Sequence, residues 1–371
     1  MNRYAERLGR LYALMDEEQV AGLLFYGSQF RKDYLRYAAP VPTPSAYGFC
    51  LLTRESGHLF LEEPWHEIDP PETVQATHGA RSPRGVSHLV GGLIRKRGIG
   101  PRIGLVGGDT LEVGLMEEIQ AVAGAVEFVP ATKELAAMRM VKDSEELAAI
   151  RGAAHLADEG YAAFVKACRP GRKQFEIVAD VEGFLRTIGA EDNFMLIASG
   201  GRDVYGMTPP SARTLQRGDN VITELTPQVG GYYIQICRSL TLGPPSPEQQ
   251  RSFDIFKRAA DAAIVLIKPG VKVAEVARAE NDVFRAEGFG EYCTEQYTRV
   301  RGHGVGLYPD EDPVVWEDVQ TVLQEGMVLI AHPNTYLPLS GYMVFGDTLV
   351  VTRDGCEILT RTERKLFEAQ G

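Results

Sequence analysis

The 371 residues hold 39 Lys plus Arg against 50 Asp plus Glu, a formal net charge of −11. That balance repels phosphate backbones and anionic lipid, which disfavours nucleic-acid and membrane-surface roles. With 44% apolar and 24% charged residues, the composition is that of a soluble globular chain, long enough for about two domains of roughly 150 residues.

Residues 1–20 predict an amphipathic, heavily charged helix without the apolar core of a signal peptide. No later run reaches the roughly 18 apolar residues of a membrane span. Residues 20–27 read as a short buried strand, and 49–63 as two strands around a Glu-Ser-Gly turn. A helix over 83–97, a strand over 102–108, a helix over 111–124 and a strand over 125–130 follow. This alternation predicts an α/β domain over residues 1–135. Asp143 then opens a long helix, with Glu146 at capping-box spacing. Leu147, Ile150, Ala154, Ala157, Tyr161 and Phe164 form its apolar stripe. Arg169-Pro170-Gly171 ends it, inside a second domain over residues 136–371. Cys50, Cys168, Cys237, Cys293 and Cys356 are scattered, with no CxxC pair. They predict a reduced, cytoplasmic chain without a disulfide frame.

The second domain repeats itself. A shift of 99 residues lays Pro170 on Pro269, Gly171 on Gly270, Lys173 on Lys272 and Glu176 on Glu275. A shift of 108 lays LQRGDNVITEL (215–225) on LQEGMVLIAHP (323–333). Each half therefore runs helix, Pro-Gly turn, helix, then a glycine turn into a strand. Glu224 and His332 become equivalent positions, which a pseudo-twofold packing would bring into one central cleft.

These residues resemble the pita-bread superfamily of creatinase, aminopeptidase P, prolidase and methionine aminopeptidase. MRMVKDSEELAAIRGAAHLAD is similar to the family's linking helix, RGHGVGL (301–307) to its His-Gly loop, and LQEGMVLIAHP and SGYMVFGDTLVVTRDG to its last active-site strands. The resemblance implies an α/β (α+β) fold: a smaller creatinase/prolidase-type N-terminal domain, then a pita-bread catalytic domain with an internal pseudo-twofold repeat. The family's metallopeptidases hold two metals with two Asp, one His and two Glu. At those positions this chain carries Glu224, Gln235, His303, His332 and Gly346, so only His303 matches. One carboxylate, one amide and two imidazoles would undercompensate two divalent cations. Met207 stands where creatinase has its acid/base histidine.

His303, between two glycines, is open to a ligand. His332 lies in an apolar strand opposite Glu224, an arrangement that could hold its imidazole near pH 7 for acid/base work. Glu224 is expensive to bury alone, so it would orient an imidazole or anchor a substrate cation. Along 232–241 side chains alternate: Tyr233, Gln235 and Cys237 share one face, and Arg238 points away as an ion-pair residue. The resemblance turns Gln235 to the cleft, flanked by Tyr233. Tyr308 and Asp310, in the acidic loop after His303, and Arg202, Tyr205 and Met207, on one loop, complete the candidate substrate contacts.

The expectation is a metal-independent, creatinase-like enzyme with no cofactor, hydrolysing a C–N bond of a small polar molecule other than a peptide. His303, His332 and Glu224 would be catalytic. A lyase with the same pair, a mononuclear zinc or iron enzyme at Glu224, His303 and His332, and a non-catalytic binding module stay open. The resemblance also implies a homodimer, with the N-terminal domain of one copy near the other's cleft. The run FYGSQFRKDYLRY (25–37) concentrates aromatics and arginine as interfaces do.

Overall fold

Alternating strands and helices in the first 130 residues close into one six-stranded sheet. A computed structural model describes residues 4–41, 47–62 and 72–370. Residues 1–3 and Glu63 of the expected first helix and hairpin lie outside that set. The chain divides into two compact units, Met1–Arg139 and Met140–Gly371.

The first unit runs α1 (Ala5–Glu17), β1 (Leu23–Ser28), α2 (Asp33–Ala38), β2 (Tyr47–Leu52), β3 (Gly57–Glu62), β4 (Ala76–Ala80), α3 (Pro83–Arg97), β5 (Arg102–Val106), α4 (Val113–Ala123), β6 (Glu127–Pro130) and α5 (Thr132–Met140). The sheet order is β4-β3-β2-β1-β5-β6. Helix α3 starts where Ser82 accepts from the Gly85 N–H and Pro83 fills the first turn; Gly98, at φ 63°, ends it. Its apolar positions Val86, Val90 and Ile94 pack with Phe49, Phe60, Ile103 and Ile119 in one core. The aromatic run expected at an interface is mostly used here: Tyr26, Tyr34 and Tyr37 are buried, whereas Phe30 is 85% exposed. Buried Asp33 pairs with Arg139 at 2.7 Å and with Arg31 at 3.1 Å, since an unpaired carboxylate there would be costly.

The second unit opens with α6 (Ser144–Ala167), whose Asp143–Glu146 capping box is formed. It continues α7 (Gln174–Thr187), β7 (Asp192–Gly200), β8 (Asn220–Val229), β9 (Tyr232–Tyr233), β10 (Ile236–Leu242), α8 (Pro247–Leu266), α9 (Val273–Ala286), β11 (Gly302–Gly304), β12 (Glu311–Val314), β13 (Val328–Ala331), β14 (Thr335–Leu337), β15 (Gly341–Met343), β16 (Asp347–Val351), β17 (Cys356–Ile358) and β18 (Phe367–Ala369). Two main sheets result, β18-β10-β8-β7 with β9 on β8, and β12-β11-β13-β16-β17. Paired backbone bonds between Cys237 and Gly346, at 3.1 and 3.0 Å, join them.

The repeat recurs bond for bond. The Gly171 N–H donates to the Leu215 carbonyl and the Gly270 N–H to the Leu323 carbonyl, both at 2.9 Å. Lys173 bridges Thr214, and Lys272 bridges Val322. The capping glutamates Glu176 and Glu275 close the same first turn. All five cysteines are free, and among the described residues no helix is long and apolar enough to cross a membrane.

Candidate active site

Glu224 sits mid-strand on β8, with Cys237 of β10 as its cross-strand partner. Directly opposed residues project side by side. The Cys237 thiol accordingly donates to Glu224 Oε1 at 3.6 Å, and Asn334 Nδ2 donates to the same oxygen at 3.0 Å. These are the carboxyl's partners, rather than the imidazole expected from the sequence. Two neutral donors do not offset the loss of water. Burial pushes the Glu224 carboxyl up to about 7, against the smaller lowering effect of Cys237, Arg299 and Asn334.

His303 is the middle residue of β11, which is clamped between β12 and β13. A Cβ on Gly304 would meet the Asp312 carbonyl at 2.1 Å, so this glycine lets the strands close. His303 Nδ1 lies 2.9 Å from the Gly304 carbonyl. A carbonyl only accepts, so Nδ1 carries the proton and Nε2 is left as an acceptor. His332 follows β13, its N–H donating to the Arg301 carbonyl at 2.9 Å. The two rings meet edge to face, centroids 5.2 Å apart. His332 is 4% exposed, and its Nδ1 has no hydrogen-bond partner among the described residues.

Burial holds both imidazoles below their ordinary range, and for His332 the neighbouring His303 adds to it. Both rings are therefore neutral at pH 7. This corrects the expectation of an imidazole near neutrality at His332: burial disfavours the charged form, and no carboxylate faces the ring closely enough to reverse it. The group poised near pH 7 is Glu224.

These groups open on a cavity of about 490 Å³, within the size range of small-molecule sites. Glu224, His303, His332, Tyr205, Met207 and Asp310 line it. Gln235, Tyr233, Arg202 and Tyr308 are not among its lining residues. Gln235 lies behind Cys237, donating to its sulfur at 3.4 Å. The Tyr233 hydroxyl donates to Asp192, Arg202 donates to the Leu339 carbonyl, and the Tyr308 N–H donates to Glu311. Buried Arg238 pairs with Asp347 at 2.5 Å. The structure adds lining residues that the sequence did not single out: Asn334, Glu295, Tyr297 and Arg299. Asn334 had a signal, a polar amide two residues after His332 in an apolar stretch. Glu295, Tyr297 and Arg299 come from an irregular segment with no periodicity to mark them.

The model of metallopeptidase family M24 matches residues 148–353, and that of the creatinase/prolidase N-terminal domain matches residues 7–141. An Xaa-Pro dipeptidase of Pyrococcus horikoshii is 29% identical, covering 98% of this chain and 99% of its own. An Xaa-Pro dipeptidase of Pyrococcus furiosus is 30% identical, covering 70% of this chain and 74% of its own. The crystal structure of the prolidase from Pyrococcus horikoshii superposes with a TM-score of 0.84 at 28% identity, over 97% of this chain and 99% of that one.

These relatives overturn the expected chemistry. They are dipeptidases within a metallopeptidase family, so the metal-independent, creatinase-like, non-peptide enzyme and its alternatives give way to a peptidase type. The expectation of no cofactor gives way to the metal that the family's name carries. The donors that the resemblance sets at the metal positions do not fit such a centre. Among the described residues, no three His, Cys, Asp or Glu side chains converge to hold a metal ion. A two-metal centre needs shared carboxylates, whereas Glu224 is bonded to Asn334 and Cys237 and Gln235 lies behind the thiol. Gly346 has no side chain, and a Cβ there would stand 2.5 Å from His332 Cβ. The frame and its donors thus diverge, but the frame is unambiguous. With one family model matching over half of its length and another matching the first unit, this chain belongs to metallopeptidase family M24, in its creatinase and prolidase branch.

Proposed function

We propose that this chain hydrolyses the C–N bond of a short peptide, as an enzyme of the Xaa-Pro dipeptidase kind. The observation that carries the reading is end-to-end similarity to such a dipeptidase, over 98% of this chain and 99% of the relative. The cavity supports it, since about 490 Å³ has room for a dipeptide. In this reading Glu224 exchanges a proton with the reacting amide, because its carboxyl is poised near neutrality. His303 Nε2 accepts a hydrogen bond from the substrate or its attacking water. His332 Nδ1, buried and unpartnered, takes a second. Asn334 fixes the Glu224 carboxyl, and Met207, Tyr205 and Asp310 shape the space around the substrate. A homodimer through the first unit is part of the same proposal, supported by the exposure of Phe30.

The test is a panel of Xaa-Pro and non-proline dipeptides, with the protein as purified and after adding Mn²⁺, Co²⁺ or Zn²⁺. Released amino acids are read by mass spectrometry. Cleavage of at least one dipeptide is expected. No release from any dipeptide under any metal condition would overturn the reading, whether or not the peptides bind.

A further inference from the structure

The mouth of the cavity differs in chemistry from its floor. Phe194 and Tyr205 line it while 49% and 63% exposed, and exposed aromatics at a pocket rim mark a binding surface. Tyr205 stacks on Tyr336, with centroids 4.5 Å apart and planes 10° from parallel. Tyr297 continues the stack at 6.0 Å and 25°. The rings of Tyr205 and Tyr297 thus belong to one braced aromatic wall. Glu295, two residues before Tyr297, also lines the cavity.

The charges in the cavity do not balance. Asp310 is paired with Arg299, which cancels the guanidinium. Glu295 remains without an ion pair to a lining cation. A protonated amine or guanidinium is all donor. It is attracted to ring faces and suits a site whose open positions are the Glu295 carboxylate and the unpartnered, buried His332 Nδ1.

We propose that the mouth is a cation subsite, in which Tyr205, Tyr297 and Glu295 hold the positive group of a short peptide. This rests on the peptide reading above. The positive group is either the peptide's protonated amino terminus or a basic side chain, and the two can be told apart by experiment.

Calorimetry on the full chain would compare two ligand pairs, with cleavage followed in parallel by mass spectrometry. Arg-Pro against citrulline-Pro removes the side-chain charge at nearly constant shape. Ala-Pro against N-acetyl-Ala-Pro removes the terminal charge. The charged member of at least one pair is expected to bind roughly two- to thirtyfold tighter, the range of a cation over an aromatic face. That advantage of the charged over the uncharged member should shrink in both Glu295→Gln and Tyr205→Leu. Both residues are exposed, and thermal melting of each variant checks that the fold is kept. Equal binding of charged and uncharged members in both pairs would overturn the subsite, as would a preference that survives both substitutions. A charge preference without cleavage sinks the hydrolase reading alone. Cleavage without a charge preference sinks the subsite alone, and no binding by any peptide sinks both.

Discussion

The two halves of the second unit are copies in frame and strangers in chemistry. Helices α7 and α9 span equivalent residues, 174–187 and 273–286, with the same capping box. The strands that follow start in register, at Asn220 and Val328, and then part. Strand β8 runs ten residues, paired with β7, and carries Glu224 in its middle. Strand β13 stops after four, two residues before Pro333. His332 therefore lies just past a strand end, and Glu224 lies inside a strand. Burial then acts oppositely on the two, raising the carboxyl and lowering the imidazole. Equivalent positions in a repeat share backbone paths and need not share protonation.

The largest effect that would break this comparison belongs to Glu224. Glu224→Gln keeps the shape and removes the proton exchange, so peptide cleavage should fall by about 10²- to 10⁴-fold. Retained cleavage would remove Glu224 from the chemistry. The same variant isolates a stability effect. The folded carboxyl titrates at about 7 against an ordinary 4.5, so between those values the folded state binds the extra proton. Stability of the parent then falls as pH rises from about 4.5 to 7 and levels off above, by roughly 3 kcal/mol in all. The melting temperature of Glu224→Gln relative to the parent should climb over that window and stay flat beyond it. A difference that does not change with pH would place the folded carboxyl near its ordinary value.

A smaller effect lies where the two sheets meet. Gly346→Ala would set a methyl 2.5 Å from His332 Cβ and 2.7 Å from the Ala331 carbonyl. An overpacked site of this kind costs about 1–3 kcal/mol. Gly183→Ala, inside α7 with nothing within 4 Å, should instead stabilise by about 0.5–1 kcal/mol. Denaturant midpoints of the two variants check both signs. Tolerance at Gly346 would mean that the strands can part, leaving room there for a side chain.

Much of the frame was legible because its signals are local. Ser82-Pro83 and Gly98 bracket α3, Asp143 and Glu146 box the start of α6, and Pro170-Gly171 and Pro269-Gly270 punctuate both halves. Each acts through backbone geometry within a few residues. The site was legible only as a set of positions. Glu224, His303 and His332 do share a cavity, but their protonation depends on what surrounds them, and Asn334 and Cys237 reach Glu224 across 110 and 13 residues of chain. The chemistry was misread for a related reason. Changed residues at four of five positions outweighed a similarity spread over the whole chain, and it is that similarity which ties the protein to dipeptidases. The rim residues Glu295 and Tyr297 belong to an irregular stretch, where no period links sequence to direction.

The smallest effect is also the most direct test of the repeat. Glu176 Oε2 accepts the Lys173 N–H at 2.9 Å, and Glu275 Oε1 accepts the Lys272 N–H at 3.0 Å. Both N–H groups are exposed, so losing the carboxylate returns them to water rather than stranding them. Glu176→Ala and Glu275→Ala should each destabilise by about 0.5–1 kcal/mol, at the low end for a helix cap. The two sites lie in separate helices with no shared partner, so the double variant should show their sum to within about 0.5 kcal/mol. Equal costs would mean that the duplicated frame is energetically as well as geometrically equivalent. A cost at one cap only would mean that the halves have diverged in their supports as far as they have at Glu224 and His332, with the echo surviving in sequence after its energetic reason has gone.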